Sequence, residues 1–197
     1  MIDELTDALR PLSAPPIERA WNHADMAELL GDAPRQPAAV LIGLREGVQP
    51  RMVLTVRTDH LHAHAGQVAF PGGRSEADDG DAITTALRES EEEIGLERRL
   101  VTPLGFLDRF ETISGFCITP VVARIATEAQ LYPAPDEVAE VFEVPLAFFM
   151  EPANLRRYTM EFRGHQRSMV EFVHGGHRIW GATAAILLNL LQRMGRA

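Results

Sequence analysis

The sequence predicts an α/β fold, and two observations support this prediction. Short apolar runs with strand character alternate with helical patterns, and the most regular helical pattern directly follows one of the short runs. The strand-like runs are rich in β-branched residues and are separated by turn residues; they cover residues 38–44, 52–57, 67–70, 100–107 and 118–125. Because a chain of 197 residues can bury a substantial core, we expect one layered domain.

The central helical pattern lies in residues 72–96, which begin with the pair Gly72-Gly73. Asp79 or Asp81 can cap the start of the helix, because either carboxylate can accept backbone N–H bonds there. Gly95 suits the left-handed position that ends a helix. The apolar positions recur three and four residues apart, as side chains on one helix face do; they are Ile83, Ala86, Leu87, Ser90 and Ile94.

Four glutamates crowd the end of this helix, where the helix dipole favours cations: Glu89, Glu91, Glu92 and Glu93. With about 100° between successive residues, Glu89, Glu92 and Glu93 fan over one narrow sector, and Glu91 points away. Three carboxylates on one patch can bind Mg²⁺ or Mn²⁺. Arg88 lies beside the fan and can hold one of its carboxylates by a two-bond contact. A solvated acidic face is the alternative interpretation.

Residues 88–96 resemble the second half of the Nudix box, which reads Arg-Glu-apolar-x-Glu-Glu-x-Gly-apolar. In the first half of the box, Asp79 lies six residues after Gly73, as the motif expects. One residue more than the general box allows separates Asp79 from Arg88. This longer spacing resembles the coenzyme A pyrophosphatase branch of the Nudix hydrolases.

A second motif, upstream of the box, resembles the same branch. Residues 53–58, Gly66 and residues 70–73 match the segment that these enzymes carry before the box, although His62 stands where that motif has arginine. A mostly neutral imidazole thus replaces a permanent cation. The resemblance extends over roughly residues 38–190 and is strongest in residues 53–96.

The resemblance implies the Nudix fold, an α/β/α sandwich with a mixed β-sheet and a central catalytic helix. It also implies metal-dependent hydrolysis of the diphosphate linkage of coenzyme A or its derivatives. The products would be 4′-phosphopantetheine, or its acyl form, and adenosine 3′,5′-bisphosphate. Mg²⁺ or Mn²⁺ would be held by Glu89, Glu92 and Glu93, and Gly73 would let the backbone approach the ion closely.

Catalytic and substrate-binding roles follow from the same resemblance. Catalytic roles are implied for Arg88 and Glu89, and the general base is either Glu92 or Glu137. Glu137, which precedes a predicted strand, is also the candidate for a further carboxylate at the metal site. Substrate contacts are implied for five positions of the upstream motif: Arg57, His62, Gly66, Phe70 and Gly72.

The alternating histidines His60, His62 and His64 could also hold zinc. No further cysteine or acidic ligand adjoins them, so substrate contact is the favoured interpretation. Two other functions stay open for the whole chain. One is a Nudix pyrophosphatase that acts on ADP-ribose, a nucleotide sugar or a nucleoside triphosphate. The other is a nucleotide-binding module without hydrolytic activity.

Composition and net charge limit the kinds of partner that this chain can bind. The net charge of −9 and the lack of a Lys/Arg-rich run argue against a nucleic-acid partner, so we expect a small-molecule diphosphate substrate. Cys117 is the only cysteine, which excludes an internal disulfide and indicates a reducing compartment, the cytoplasm. The N-terminal residues lack the apolar core of a signal peptide. No apolar run reaches the roughly 18 residues of a membrane span.

Two regions are expected. Residues 1–37 predict an N-terminal helical extension, with helices over 2–9 and 17–30 that the intervening prolines separate. Residues 38–197 form the predicted hydrolase domain. Near its end, the sequence predicts a hairpin of residues 157–162 and 168–174 and a helix over 182–194. Family resemblance also makes a homodimer plausible.

Overall fold

A computed structural model describes residues 2–31, 33–59, 66–162 and 164–197 of the chain. The helices are α1 (Ile2–Asp7), α2 (His23–Leu30), α3 (Ala82–Ile94), α4 (Leu146–Met150) and α5 (Gly181–Arg193). The strands are β1 (Gln36–Arg45), β2 (Arg51–Arg57), β3 (Val68–Ala69), β4 (Gly72–Arg74), β5 (Val101–Phe106), β6 (Phe110–Glu111), β7 (Phe116–Ile125), β8 (Val138–Pro145), β9 (Arg156–Phe162), β10 (His165–His174) and β11 (His177–Trp180).

The main sheet has eight strands and is mixed. Its central order is β3-β2-β1-β7-β5, with β4 paired to β1, β6 to β7 and β8 to β2. β1 and β7 run parallel from the Gln36–Phe116 pair to the Arg45–Ile125 pair, and the other pairings are antiparallel. The mixed sheet and its packed helices confirm the predicted α/β fold.

Apolar residues cover both faces of this sheet, because neighbouring residues of a strand point to opposite faces. In β1, Leu41 packs with Ala86 and Ile94 of α3, whereas Ile42 and Leu44 belong to a larger cluster on the opposite face. A second sheet with the order β11-β10-β9 contributes Phe172 and Ile179 to this larger cluster, and α5 contributes Leu187 and Leu190. The sheet therefore lies between helices.

The N-terminal helices are shorter than predicted. The second helix begins at His23 rather than at residue 17, because Asn22 bonds to the backbone of β6: its Nδ2 donates to the Glu111 carbonyl at 2.7 Å and its Oδ1 accepts the Glu111 N–H at 2.8 Å. The Trp21 N–H donates to the Arg109 carbonyl at 3.1 Å. These bonds fix the segment beside the sheet, where it cannot continue the helix.

The first helix carries buried residues into the core. Leu5 of α1 is fully buried, and both Leu5 and Leu9 belong to the larger cluster. Asp108 accepts bonds from Arg10 and from Arg193 of α5, so it links the N-terminal segment to the last helix. Among the described helices, none has both the length and the hydrophobicity that a bilayer crossing requires.

Candidate functional site

Local sequence signals set the limits of α3, the helix that carries the acidic cluster. Asp81 is the N-cap, and its Oδ1 accepts the Thr84 N–H at 2.7 Å. At the other end Gly95 adopts a left-handed conformation (φ 64°), which ends the helix at the predicted residue. The apolar face packs as predicted, with Ala86, Ser90 and Ile94 buried against the sheet.

Two backbone donors from a distant loop cap the acidic end of α3. The Tyr132 N–H donates to the Ile94 carbonyl and the Ala134 N–H donates to the Glu93 carbonyl, both at 2.8 Å. Glu91, which points away from the other glutamates, pairs with Arg98 at 2.8 Å. The unfavourable negative charge at this helix end is therefore partly offset by N–H donors and one cation.

Arg88 is the centre of an ion-pair network. Its guanidinium makes a two-bond contact with Asp79, at 2.8 and 2.9 Å, and donates to Glu89 and Glu92 at 3.0 Å each. The prediction that this two-bond contact would hold a carboxylate of the fan was wrong: it holds Asp79 instead, because the loop before α3 turns Asp79 back onto the helix. The Arg88 bonds hold the pKa of Asp79 well below its ordinary value.

Glu93 is the most buried carboxylate of the cluster, with 4% of its surface exposed. Its Oε2 accepts the Gly72 N–H at 2.9 Å, and its Oε1 lies 3.7 Å from Arg57 Nη1. Burial disfavours the ionised form and raises the pKa of Glu93 to about 7, although the Gly72 N–H and the Arg57 charge act in the opposite direction. This side chain can therefore gain or lose a proton near neutral pH.

Glu89 lies directly against Gly73. A Cβ atom built on Gly73 would lie 2.5 Å from Glu89 Cδ and 2.6 Å from both of its carboxylate oxygens. Burial also raises the pKa of Glu89. Gly72 has a φ of 148° and passes so close to β1 that its Cβ would meet the Ala39 carbonyl at 2.4 Å. A side chain at either position would overlap a neighbouring atom, so glycine allows Glu89 and β1 to pack this closely against the backbone.

Glu92 and Glu137 are the exposed carboxylates of the site. The Glu92 side chain is 58% exposed, so Glu92 and Glu93 sit at different depths although both belong to the predicted fan. The Glu137 carbonyl accepts the Thr58 N–H at 3.0 Å, and Thr58 Oγ1 donates to the Asp136 carbonyl at 3.2 Å. The Glu137 charge helps to raise the pKa of both Glu89 and Glu93, which places it in the same electrostatic cluster.

Gly66 and Phe70, which were also predicted to contact the substrate, lie in a turn and in the hydrophobic core. Gly66 has a positive φ of 68° and donates its N–H to the Arg57 carbonyl at 3.1 Å, so it forms a turn behind Arg57. Phe70 is 4% exposed and packs in the larger hydrophobic cluster, away from the carboxylates. His62, together with the possible zinc ligands His60 and His64, lies outside the described residues.

Two contributors to the site were not predicted as such. Asp79 was a candidate cap, and its contact with Arg88 was missed, although the spacing of the two residues in the box was a usable signal. Thr58 fixes the segment that carries Glu137 through two hydrogen bonds, and no local pattern in the sequence indicates this role.

The donor set fits a hard divalent cation. The clustered side chains offer carboxylate oxygens, which Mg²⁺ and Mn²⁺ prefer, and two of them are buried enough to have raised pKa values. No three acidic, histidine or cysteine side chains among the described residues already stand in a ligand arrangement. Arg88 holds Glu89 and Glu92, and Gly72 holds Glu93, so binding would exchange some of these contacts for the ion.

Comparison with known sequences shows which family this chain is similar to. The NUDIX domain family matches residues 34–166. "Uncharacterized Nudix hydrolase NudL" of Enterobacter sp. is 36% identical over 161 residues, covering 82% of this chain and 84% of the relative. Its namesake in Photorhabdus laumondii is 38% identical over 157 residues, covering 80% and 84%.

A solved structure supports the fold. The MutT/nudix family protein from Enterococcus faecalis matches with a TM-score of 0.52 at 16% identity, over 83% of this chain and 63% of that chain. At this level of identity the match concerns the fold alone. The family match and the two similar sequences, together with the acidic helix against the glycine pair, show that this chain belongs to the Nudix hydrolase family.

Proposed function

We propose that this Nudix hydrolase cleaves the diphosphate linkage of coenzyme A or its derivatives, giving 4′-phosphopantetheine, or its acyl form, and adenosine 3′,5′-bisphosphate. Membership of the family supports hydrolysis of a pyrophosphate bond. The choice of coenzyme A depends on one sequence observation: the lengthened box and the upstream motif occur together and share Gly72-Gly73. Glu93 and Glu89 contact this glycine pair, which supports a link between motif and reaction.

Nudix hydrolases generally use divalent metal ions. We propose that Glu89, Glu92 and Glu93 hold Mg²⁺ or Mn²⁺ here, with the backbone at Gly73 close to the ion. When bound, the ion supplies Lewis-acid polarisation of the diphosphate and neutralises charge on its oxygens.

Arg57 is proposed to contact the substrate phosphates. Its Nη1 lies at the long distance of 3.7 Å from Glu93, and its buried Nε has no hydrogen-bond partner among the described residues. A guanidinium with unused N–H donors beside the carboxylate cluster is suited to a phosphate oxygen. Once cations compensate Glu93, Arg57 becomes available to the substrate.

The proton of the attacking water needs a carboxylate acceptor that the water can reach. Glu92 and Glu137 are both exposed, and neither is as buried as Glu93. We therefore propose Glu92 or Glu137 as the general base. Arg88 would act by keeping Glu89 and Glu92 in place rather than by proton transfer, since its own pKa is raised by its bonds to Asp79.

A panel of diphosphates at equal concentration, each with Mg²⁺ or Mn²⁺, tests the substrate. We expect coenzyme A to be cleaved faster than ADP-ribose, a nucleotide sugar or a nucleoside triphosphate, with the two products identified by mass spectrometry. Cleavage of ADP-ribose without cleavage of coenzyme A would favour the second candidate, for which the exchange of the motif arginine for His62 is the supporting observation. Tight binding without any product would indicate a binding module, although none of the expected carboxylates is missing.

Glu93→Gln tests the metal assignment, and Glu91→Gln is the matched control. Both replace a glutamate of the same helix end by its amide, but Glu91 pairs with Arg98 on the far side. We expect turnover to be abolished in Glu93→Gln and nearly unchanged in Glu91→Gln. Near-normal turnover of a folded Glu93→Gln protein would refute the assignment.

We also propose that the protein acts in the cytoplasm and forms a homodimer. The single cysteine, Cys117, is buried and unpaired, which suits the reducing cytoplasm. The homodimer that family resemblance implies stays a prediction, and size-exclusion chromatography with light scattering checks it.

A further inference from the structure

A cavity of about 430 Å³ lies outside the carboxylate cluster. The ionisable side chains that line it, Cys117 aside, are Arg19, His23, Arg35, Arg109 and Glu111. His23 belongs to α2 and Glu111 to β6, and the three arginines lie in the segments that precede α2, β1 and β6. Among the described residues that line the cavity, three arginines face one glutamate. This surplus is notable in a chain whose net charge is −9.

Glu111, the one acid among the described residues of the cavity wall, is already compensated. Glu111 is 6% exposed, and its two oxygens contact His23 Nδ1 at 2.9 Å and Arg35 Nε at 3.3 Å. The other nitrogens of Arg35 donate to the carbonyls of Ala33 and Gly31, both at 2.7 Å. Glu111 and Arg35 therefore form a fixed, internally balanced pair in the wall.

Two guanidinium groups remain for a ligand. Arg109 Nη1 makes long bonds, of 3.4 Å each, to the carbonyls of Ile17 and Glu18, and its guanidinium also acts on the neighbouring Cys117 thiol. Arg19 is exposed, and its side chain makes no ion pair with another described residue. Both guanidinium groups line the cavity, and an anion there would satisfy the N–H donors that these contacts leave unused.

We propose that this cavity binds a phosphate group, carried by a phosphomonoester or free as inorganic phosphate. Guanidinium groups match the oxygens of a phosphate with parallel N–H bonds. The volume lies in the range of small-molecule sites, so an organic group attached to the phosphate also fits. The proposal does not depend on the hydrolytic reaction, because none of the carboxylates assigned to catalysis lines the cavity.

Calorimetric titration of the protein in EDTA tests the proposal. EDTA removes binding that a metal at the acidic site would mediate. Inorganic phosphate and adenosine 3′,5′-bisphosphate are titrated separately, and the tighter of the two identifies the source of the phosphate. We expect Arg19→Gln to weaken binding about tenfold, the usual loss for one charge-assisted contact.

Arg99→Gln is the matched control, because it removes one exposed arginine whose one ion pair with a described residue is to Glu97. It should bind phosphate as the unmodified protein does. Arg109→Gln, checked for folding by its thermal midpoint, should weaken binding as Arg19→Gln does. The proposal is overturned if neither ligand binds at millimolar concentration, or if Arg19→Gln and a folded Arg109→Gln bind as tightly as Arg99→Gln.

Discussion

Glu93 couples the stability of the metal-free protein to pH. Its pKa is raised from 4.5 to about 7, so between these values the folded state keeps a proton that the unfolded state has released. Stability must then fall as the pH rises through this window, by on the order of 3 kcal/mol for a shift of this size. Urea unfolding in EDTA between pH 4.5 and 8 measures the fall.

The amide variants identify the source of this pH dependence. Glu93→Gln should lose most of the fall, because a neutral amide has no proton to release, and Glu89 should account for a smaller remainder. Glu91→Gln should retain the fall in full. If Glu93→Gln and Glu91→Gln show the same pH dependence, burial of Glu93 is not its cause.

Gly73→Ala should disable the site while the fold survives. The added Cβ would lie 2.5 Å from Glu89 Cδ, and the end of a flexible side chain can move aside at little cost. We therefore expect a stability change within about 1 kcal/mol, with a large loss of metal affinity, measured by Mn²⁺ titration. Gly47→Ala is the control, since the nearest atom to its Cβ is 3.7 Å away, and it should change neither quantity.

At the scale of elements, the loop between β7 and β8 supports the site at the end of α3 and at Glu137. It caps α3 through Tyr132 and Ala134 and leads directly to Glu137. Arg45 holds this loop: its Nη1 donates to the Ala129 carbonyl at 2.7 Å, and its Nε donates to Glu143 of β8. One arginine at the end of β1 thus fixes the segment on both sides of Glu137.

Arg45→Met should misplace this loop. We expect a loss of about 1–3 kcal/mol in the free energy of unfolding, because partly buried carbonyl groups lose their donor and Glu143 loses its Arg45 partner. Activity should fall on the order of 10- to 100-fold, as expected for catalytic groups displaced by about 1 Å. Steady-state kinetics and urea unfolding measure both effects.

Arg51→Met is the control for this prediction. Arg51 also bonds Glu143, at 2.9 Å to its carbonyl, but makes no bond to the loop. It should leave activity nearly unchanged. Equal activity losses in the two variants would show that the loop contacts of Arg45 are irrelevant to the site.

The distance along the chain between contacting residues explains which features could be predicted from the sequence. The limits and apolar face of α3 depend on residues close in sequence, namely Asp81, Gly95 and a three-to-four spacing, and the prediction was right. The early start predicted for α2 was wrong because Asn22 bonds to β6, which lies 89 positions away along the chain. The capping of α3 by Tyr132 and the support of the loop by Arg45 are also contacts between distant segments, and no local pattern encodes them.

At the scale of the whole molecule, the parallel pairing of β1 and β7 organises the protein. It forms the middle of the sheet and allows α3 to cover one face while α1, α5 and the second sheet cover the other. The glycine pair of β4 lies against β1, so the site is built on one of the two central strands of the sheet. A rigid support of this kind holds catalytic groups more accurately than a loop does.

The N-terminal helix should matter to the stability of this whole assembly, although it lies outside the matched family region of residues 34–166. Leu5 is fully buried in the larger cluster, so Leu5→Ala should lower the free energy of unfolding by about 2–5 kcal/mol, the usual cost of such a cavity. Leu12→Ala is the control, because Leu12 is 43% exposed and should lose less than about 1 kcal/mol. Urea unfolding of the two variants measures this: if they are equally stable, the burial of Leu5 contributes nothing to the stability of the hydrolase core.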